Sequence, residues 1–192
     1  MILNIYFSKK LKSVYLKLKL YIKNIIMNPT NNNKVRIFNK TFKSPTYDEY
    51  SSEIWNDKKL VQLRLDLIKE EVAELEEAIN ENNIQETMDA LGDILVVTYG
   101  AFDAFGIDGD KVFDEVHNSN MSKLCNTEQE ALESVEWYSK LSDYDSPAYR
   151  PEGEQYVVYN KNTGKILKNQ SKNNKWREPD FSNINKFVKK QI

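Results

Sequence analysis

Leu60-Val-Gln-Leu-Arg-Leu-Asp-Leu-Ile-Lys-Glu-Glu-Val-Ala-Glu-Leu-Glu-Glu-Ala-Ile-Asn80 decides the fold, together with residues 84–105 beyond the polar turn Glu81-Asn82-Asn83. Neither run holds a proline, and both recur at helical rather than strand period. At about 100° per residue, Leu60, Leu63, Leu67 and Ala78 fall within about 60° of one another. Such a stripe faces a core. Glu71 and Glu74 project to the middle of the same stripe, whereas Glu76 and Glu77 fit a solvated face. Burying carboxylates is costly unless a cation compensates. Arg64, near the edge of the stripe, is the one basic residue on it.

The second run repeats the anomaly. Glu86, Asp89 and Asp93 are spaced i, i+3, i+7 and share one face, which continues as Val97, Gly100 and Ala104. The opposite face carries Leu91, Leu95 and Phe102, so beyond Asp93 this helix is apolar all round and reads as buried between neighbours. Five carboxylates gathered in a core repel one another and raise each other's pKa unless cations hold them. With a single histidine, His117, and a single cysteine, Cys125, any bound metal is held by oxygen. That points to a hard divalent cation: magnesium, with manganese as substitute, or calcium.

Working outward, the chain has 192 residues, 40% hydrophobic and 29% charged, enough for one domain with appendages. Five prolines and six glycines favour long helices. A lone cysteine excludes an internal disulfide and fits an intracellular, cytoplasmic setting. Residues 1–27 hold six lysines and no acid; taking that +6 from the net charge of -2 leaves -8 for the remainder. An acidic body argues against nucleic acid as a partner. The 1–33 arm and linker shows neither a signal-peptide pattern nor a membrane span, and membrane contact by residues 1–27 is not expected. Val35, Phe38 and Phe42 form a helical stripe after a polar linker, and further helices are expected near residues 51–80, 110–122 and 128–141. Residues 155–160 read as a strand that pairs back with 165–168 across Asn162-Thr-Gly164.

Glu71-x-x-Glu74 followed by Glu86-x-x-Asp89 resembles the paired acidic motif of the all-α nucleoside triphosphate pyrophosphohydrolases, which include MazG, the dimeric dUTPases and phosphoribosyl-ATP pyrophosphohydrolase. Asp89-Ala-Leu-Gly-Asp-Ile-Leu-Val-Val-Thr-Tyr-Gly100 and Phe113-Asp-Glu-Val-His-Asn-Ser-Asn-Met-Ser-Lys123 look like the phosphoribosyl-ATP pyrophosphohydrolase-like branch common in phages and large viruses. The resemblance covers residues 34–124. It implies an all-α helical bundle that forms a homodimer or a dimer of dimers, with residues 125–192 adding a helix, a small β-hairpin and a tail. It also implies magnesium held by Glu71, Glu74, Glu86 and Asp89, and cleavage of the α–β phosphate bond of a nucleoside triphosphate.

By the same resemblance, Glu70 or Glu71 activates the attacking water, Asn120 and Lys123 contact phosphates or sugar, and Asn39 is a base-reading candidate. Other readings stand beside these. Asp93 is an outer metal ligand or a surface acid, Lys123 a helix C-terminal cation, and His117 an interface residue. The expected activity is turnover of a non-canonical or deoxynucleoside triphosphate that cleans the nucleotide pool. Its rivals are phosphoribosyl-ATP hydrolysis and a non-catalytic nucleotide-binding bundle.

Overall fold

Side-chain caps set the helix starts. Thr30 caps α1 (Asn31–Thr41), and Asp57, accepting from the Leu60 amide at 3.0 Å, starts α2 (Lys58–Asn80). Asn83 accepts from the amides of Gln85 and Glu86 to start α3 (Ile84–Ala104). Two further helices, α4 (Gly109–Met121) and α5 (Glu128–Tyr138), and an antiparallel pair, β1 (Pro147–Glu152) and β2 (Gln155–Asn160), complete the elements. This computed structural model describes residues 29–188; the expectations for the amino-terminal arm up to residue 28 lie outside them. Five helices with a small β appendage are the expected fold class.

Several boundaries differ from expectation for local reasons. The residues read as a linker before Val35 are helical from Asn31, because Thr30 supplies the cap. The long second helix begins seven residues later than its expected start at Ser51, because Asp57 caps it; Ser52–Asn56 is a separate 3-10 turn. Residues 155–160 take β1 as their partner. The expected pairing to 165–168 survives as the Tyr159–Ile166 bridge, with the Leu167 amide donating to the Val158 carbonyl at 2.8 Å. The sequence signal for β1 was masked by Pro147 and Pro151.

The chain divides into two compact units, one running to Asp110 and taking in Phe187 and Val188, the other spanning residues 111–186. In the first, α2 and α3 form an antiparallel helical hairpin, and α1 packs on α3. Gly106 stops α3 at φ 69°, and a side chain there would place Cβ 2.3 Å from the Glu49 carbonyl oxygen, so the incoming 47–50 segment requires glycine. The second unit closes a core of Cys125, Ala131, Tyr138, Val158 and Leu167 between α5 and the strands. Burial there pushes the Cys125 thiol up to about 11, which makes it a packing residue rather than a nucleophile. Among the described residues no helix is long and apolar enough to cross a membrane.

Candidate active site

The α2–α3 register brings the acids together. A Cβ on Gly100 would lie 3.2 Å from Arg64 Nη1. The two helices pack side by side, so that Glu74, Glu77 and Ala78 of α2 face Glu86, Asp89 and Ala90 of α3 across one recess, and Asp93 and Asp89 lie near Glu71. Toward the turn end of the hairpin the two helices enclose a recess of about 300 Å³. Glu74, Glu77, Glu81, Glu86 and Asp89 wall it, with Ala78 and Ala90 as its buried floor. The two alanines leave the space that larger side chains would fill.

Glu71 is half-buried beside this recess. Its carboxyl sits above the usual range, first because burial strips part of its water and then because Glu74, Asp93, Glu70 and Asp89 lie near. None of these acids forms an ion pair among the described residues. The donor set is therefore all oxygen, crowded and unneutralised, which suits a hard divalent cation. No three of the side chains close on one point at ligating distance among the described residues.

The structure corrects how these residues are presented. Sequence periodicity put Glu71 and Glu74 into a core, but the face they share opens on the recess, and Glu74, Glu86 and Asp89 are exposed. Leu63, assigned to the core stripe, is 49% exposed, because the tight line facing α3 runs through residues 60, 64, 67, 71, 74 and 78. Arg64 takes the buried place instead. Glu77, read as an ordinary surface acid, lines the recess with Glu81; their spacing of i+3 and i+7 from Glu74 is the signal that could have found them. The outer line of α3, expected to be buried, is open at Leu91 and Leu95.

The other candidates fall into two groups. Asn39 is buried on α1 and donates to Asp103 Oδ2 at 3.3 Å, while Phe38 and Phe42 stand exposed as a ring pair 4.6 Å apart rather than in a core. Asp103, which sequence reasoning missed, is fully buried and also accepts from Arg36 Nη1 at 3.0 Å. Arg36 further pairs with Asp48. In the second unit Lys123 Nζ donates to Asn120 Oδ1 at 2.7 Å, so the structure joins these two phosphate candidates as a pair. His117 is exposed on α4, and Glu70 is exposed on α2.

Comparison with known proteins bears on the family. The family model described as phosphoribosyl-ATP pyrophosphohydrolase matches residues 35–120, which include all six acids from Glu70 to Asp93 named above as site candidates. An uncharacterized protein of Acanthamoeba polyphaga mimivirus is 32% identical, across 81% of this chain and 95% of its own length. That relative supports the viral branch and extends well past the matched domain. The family suggests a pyrophosphohydrolase acting on nucleotides. The chain belongs to the phosphoribosyl-ATP pyrophosphohydrolase family, within the MazG-like all-α nucleoside triphosphate pyrophosphohydrolases.

Proposed function

We propose that the protein is a magnesium-dependent nucleoside triphosphate pyrophosphohydrolase that cleaves the α–β phosphate bond, releasing pyrophosphate and a monophosphate. The observation that carries this reading is the recess itself, a wall of unneutralised carboxylates on facing helices beside Glu71. Glu71, Glu74, Glu86 and Asp89 would hold the metal, with Asp93 beside Glu71 as an outer partner. Bound magnesium supplies Lewis acidity and charge neutralisation to the polyphosphate. The chain's own part is positioning. Glu71, or Glu70 next to it, accepts the proton of the attacking water, and loss of water around Glu71, then its neighbouring acids, raise its proton affinity. Asn120 and Lys123, already hydrogen-bonded to each other, would offer an amide and an ammonium to phosphate oxygens.

The proposed partner is a second copy of the chain. Val61, Leu65, Ile68, Val72, Leu75 and Ile79 form an unbroken heptad line on the outer face of α2, and Ile84, Met88, Leu91 and Leu95 form another on α3. Most of these side chains are exposed, as expected of half of a four-helix bundle.

Pyrophosphate release measured across a panel of canonical, deoxy and modified nucleotides, with phosphoribosyl-ATP included, tests the proposal. Turnover should require magnesium and stop in EDTA. Glu71→Gln and Asp89→Asn should each lower it by about a hundredfold or more, the scale of losing one preorganised electrostatic group. Near-normal turnover in both variants would remove these carboxylates from the mechanism.

A further inference from the structure

The largest buried apolar side chain of the acid-bearing first unit arrives from beyond the second unit. Among the described residues of the first unit, the other buried apolar side chains are Val35, Ile54, Leu60 and three alanines, all before residue 105. Phe187, 5% exposed, joins them only after the whole of residues 111–186 has formed a unit of its own.

Phe187 docks at the corner where α3 passes into α4. Its carbonyl accepts from the Asp108 amide at 2.7 Å, and Val188 pairs with Ile107 as an antiparallel bridge. Asn32 of α1, itself 3% exposed, accepts from the Gly109 amide at 3.3 Å. Two successive amides of the corner are thus held by residues 155 positions apart in sequence, 32 and 187. The corner has little slack, since a Cβ on Gly109 would meet Phe102 Cδ2 at 2.7 Å. Backbone packed this closely keeps its shape while its amides are answered, because a buried amide without a partner costs free energy.

The approach to this contact is open. Residues 181–183, 185 and 186 are exposed, so the buried ring is reached over a stretch that packs little of its own. The second unit closes its cluster around Cys125, Tyr138, Val158 and Leu167 without Phe187. Local contacts of this kind open at lower free energy than the units they join. We propose that Phe187 and Val188 form a detachable clasp. Docked, they close the α3–α4 corner of the acid-bearing unit; withdrawn, they open that corner while the second unit stays folded. The unit that holds the carboxylates is thereby controlled from a segment that a protease cutting within 181–186 would release.

Hydrogen exchange read by mass spectrometry tests this on the full chain, in the parent, Phe187→Asp and Phe187→Leu. An aspartate at this buried position has no cation to pair with its charge and drives the tail out. Leucine keeps most of the apolar volume. In Phe187→Asp the amides of residues 106–109 should exchange about tenfold or more faster than in the parent, while those of α5 and β2 keep the parent rate. Phe187→Leu should hold the corner near the parent rate. Unchanged exchange at 106–109 in Phe187→Asp would show that the tail does not hold the corner and would overturn the proposal. Faster exchange in both units together would show that the tail cannot leave without general unfolding, and equally overturn it. So would a Phe187→Leu corner that exchanges as fast as that of Phe187→Asp, because no apolar clasp would then be acting.

Discussion

The second unit closes a fully buried cluster, whereas the helical hairpin leaves a continuous aliphatic line of one face exposed. Val158 is 0% exposed in the second unit, within a cluster that tyrosines 138, 144, 149 and 156 help to close. Its acids are also answered. Arg177 Nη1 meets Glu115 Oε1 at 2.5 Å, the Lys172 amide donates to Glu133, and Lys140 pairs with Glu136; all three carboxyls are held below their usual range by these partners. The hairpin shows the reverse on both counts. Among the described residues its buried apolar cluster is Ile54, Leu60 and Ala104 with Tyr50 and Phe105 packed on it, while Leu95 is 55% exposed and the Glu71 pKa is raised. A unit whose buried cluster is closed and whose Glu115, Glu133 and Glu136 have partners reads as a scaffold. One that leaves both open is where the proposed second copy and the proposed cation would act.

The largest expected effect lies on the outer seam. Leu91→Asp combined with Leu95→Asp should convert a homodimer to monomer in light scattering and lower turnover by about a hundredfold or more, because the bundle around the acids is then incomplete. The seam is not an interface if the double variant keeps the parent's mass and activity. A milder pair sharpens the contrast. Val158→Ala should cost about 2 kcal/mol at any protein concentration. Leu95→Ala should lower the melting temperature by an amount that varies with concentration, as stability tied to association must.

The smallest effect is in the pH dependence of the metal-free protein. Glu115 has a depressed pKa, so its pairing with Arg177 contributes stability above the unfolded value of 4.5 that is lost as pH falls through the lower folded value. Glu71 is raised, so its contribution is present below 4.5 and is lost as pH rises through the higher folded value. Arg177→Ala should therefore flatten the acid side of the stability curve, and Glu71→Gln the side above 4.5. Both glutamates are only partly buried, and the changes should be small. Identical curves for the three proteins would erase this difference between the units.

Sequence made the hairpin legible because α2 and α3 repeat two distinct patterns, acids on one line and unbroken aliphatics on another. It could say which residues share a face, but not what covers that face. Leu91, Leu95 and Leu63 read as core because periodicity counts apolarity, and these three lie on surfaces that one chain leaves open. Glu77 and Glu81 were missed for the converse reason, since glutamates near a helix end look solvated until the second helix turns back beside them. Arg36, Asn39, Arg64 and Asp103 are far apart in sequence and carry no motif; only the packing of α1 on α3 joins Arg36 and Asn39 to Asp103. In the second unit Pro147 and Pro151 hid β1, whose edge position tolerates them.

The central claim is that the hairpin carboxylates form a cation site, and thermal melts with and without magnesium test it most directly, with no need for turnover. Magnesium bound to the folded protein alone should stabilise it by RT ln(1 + [L]/Kd), about 2.7 kcal/mol at a hundredfold excess over Kd. Glu74→Gln relieves repulsion while removing a ligand, so in EDTA it should melt at or above the parent and then gain less from magnesium. A parent protein whose melting temperature ignores millimolar magnesium even with nucleotide present, beside a Glu74→Gln variant that is less stable in EDTA, would contradict the account.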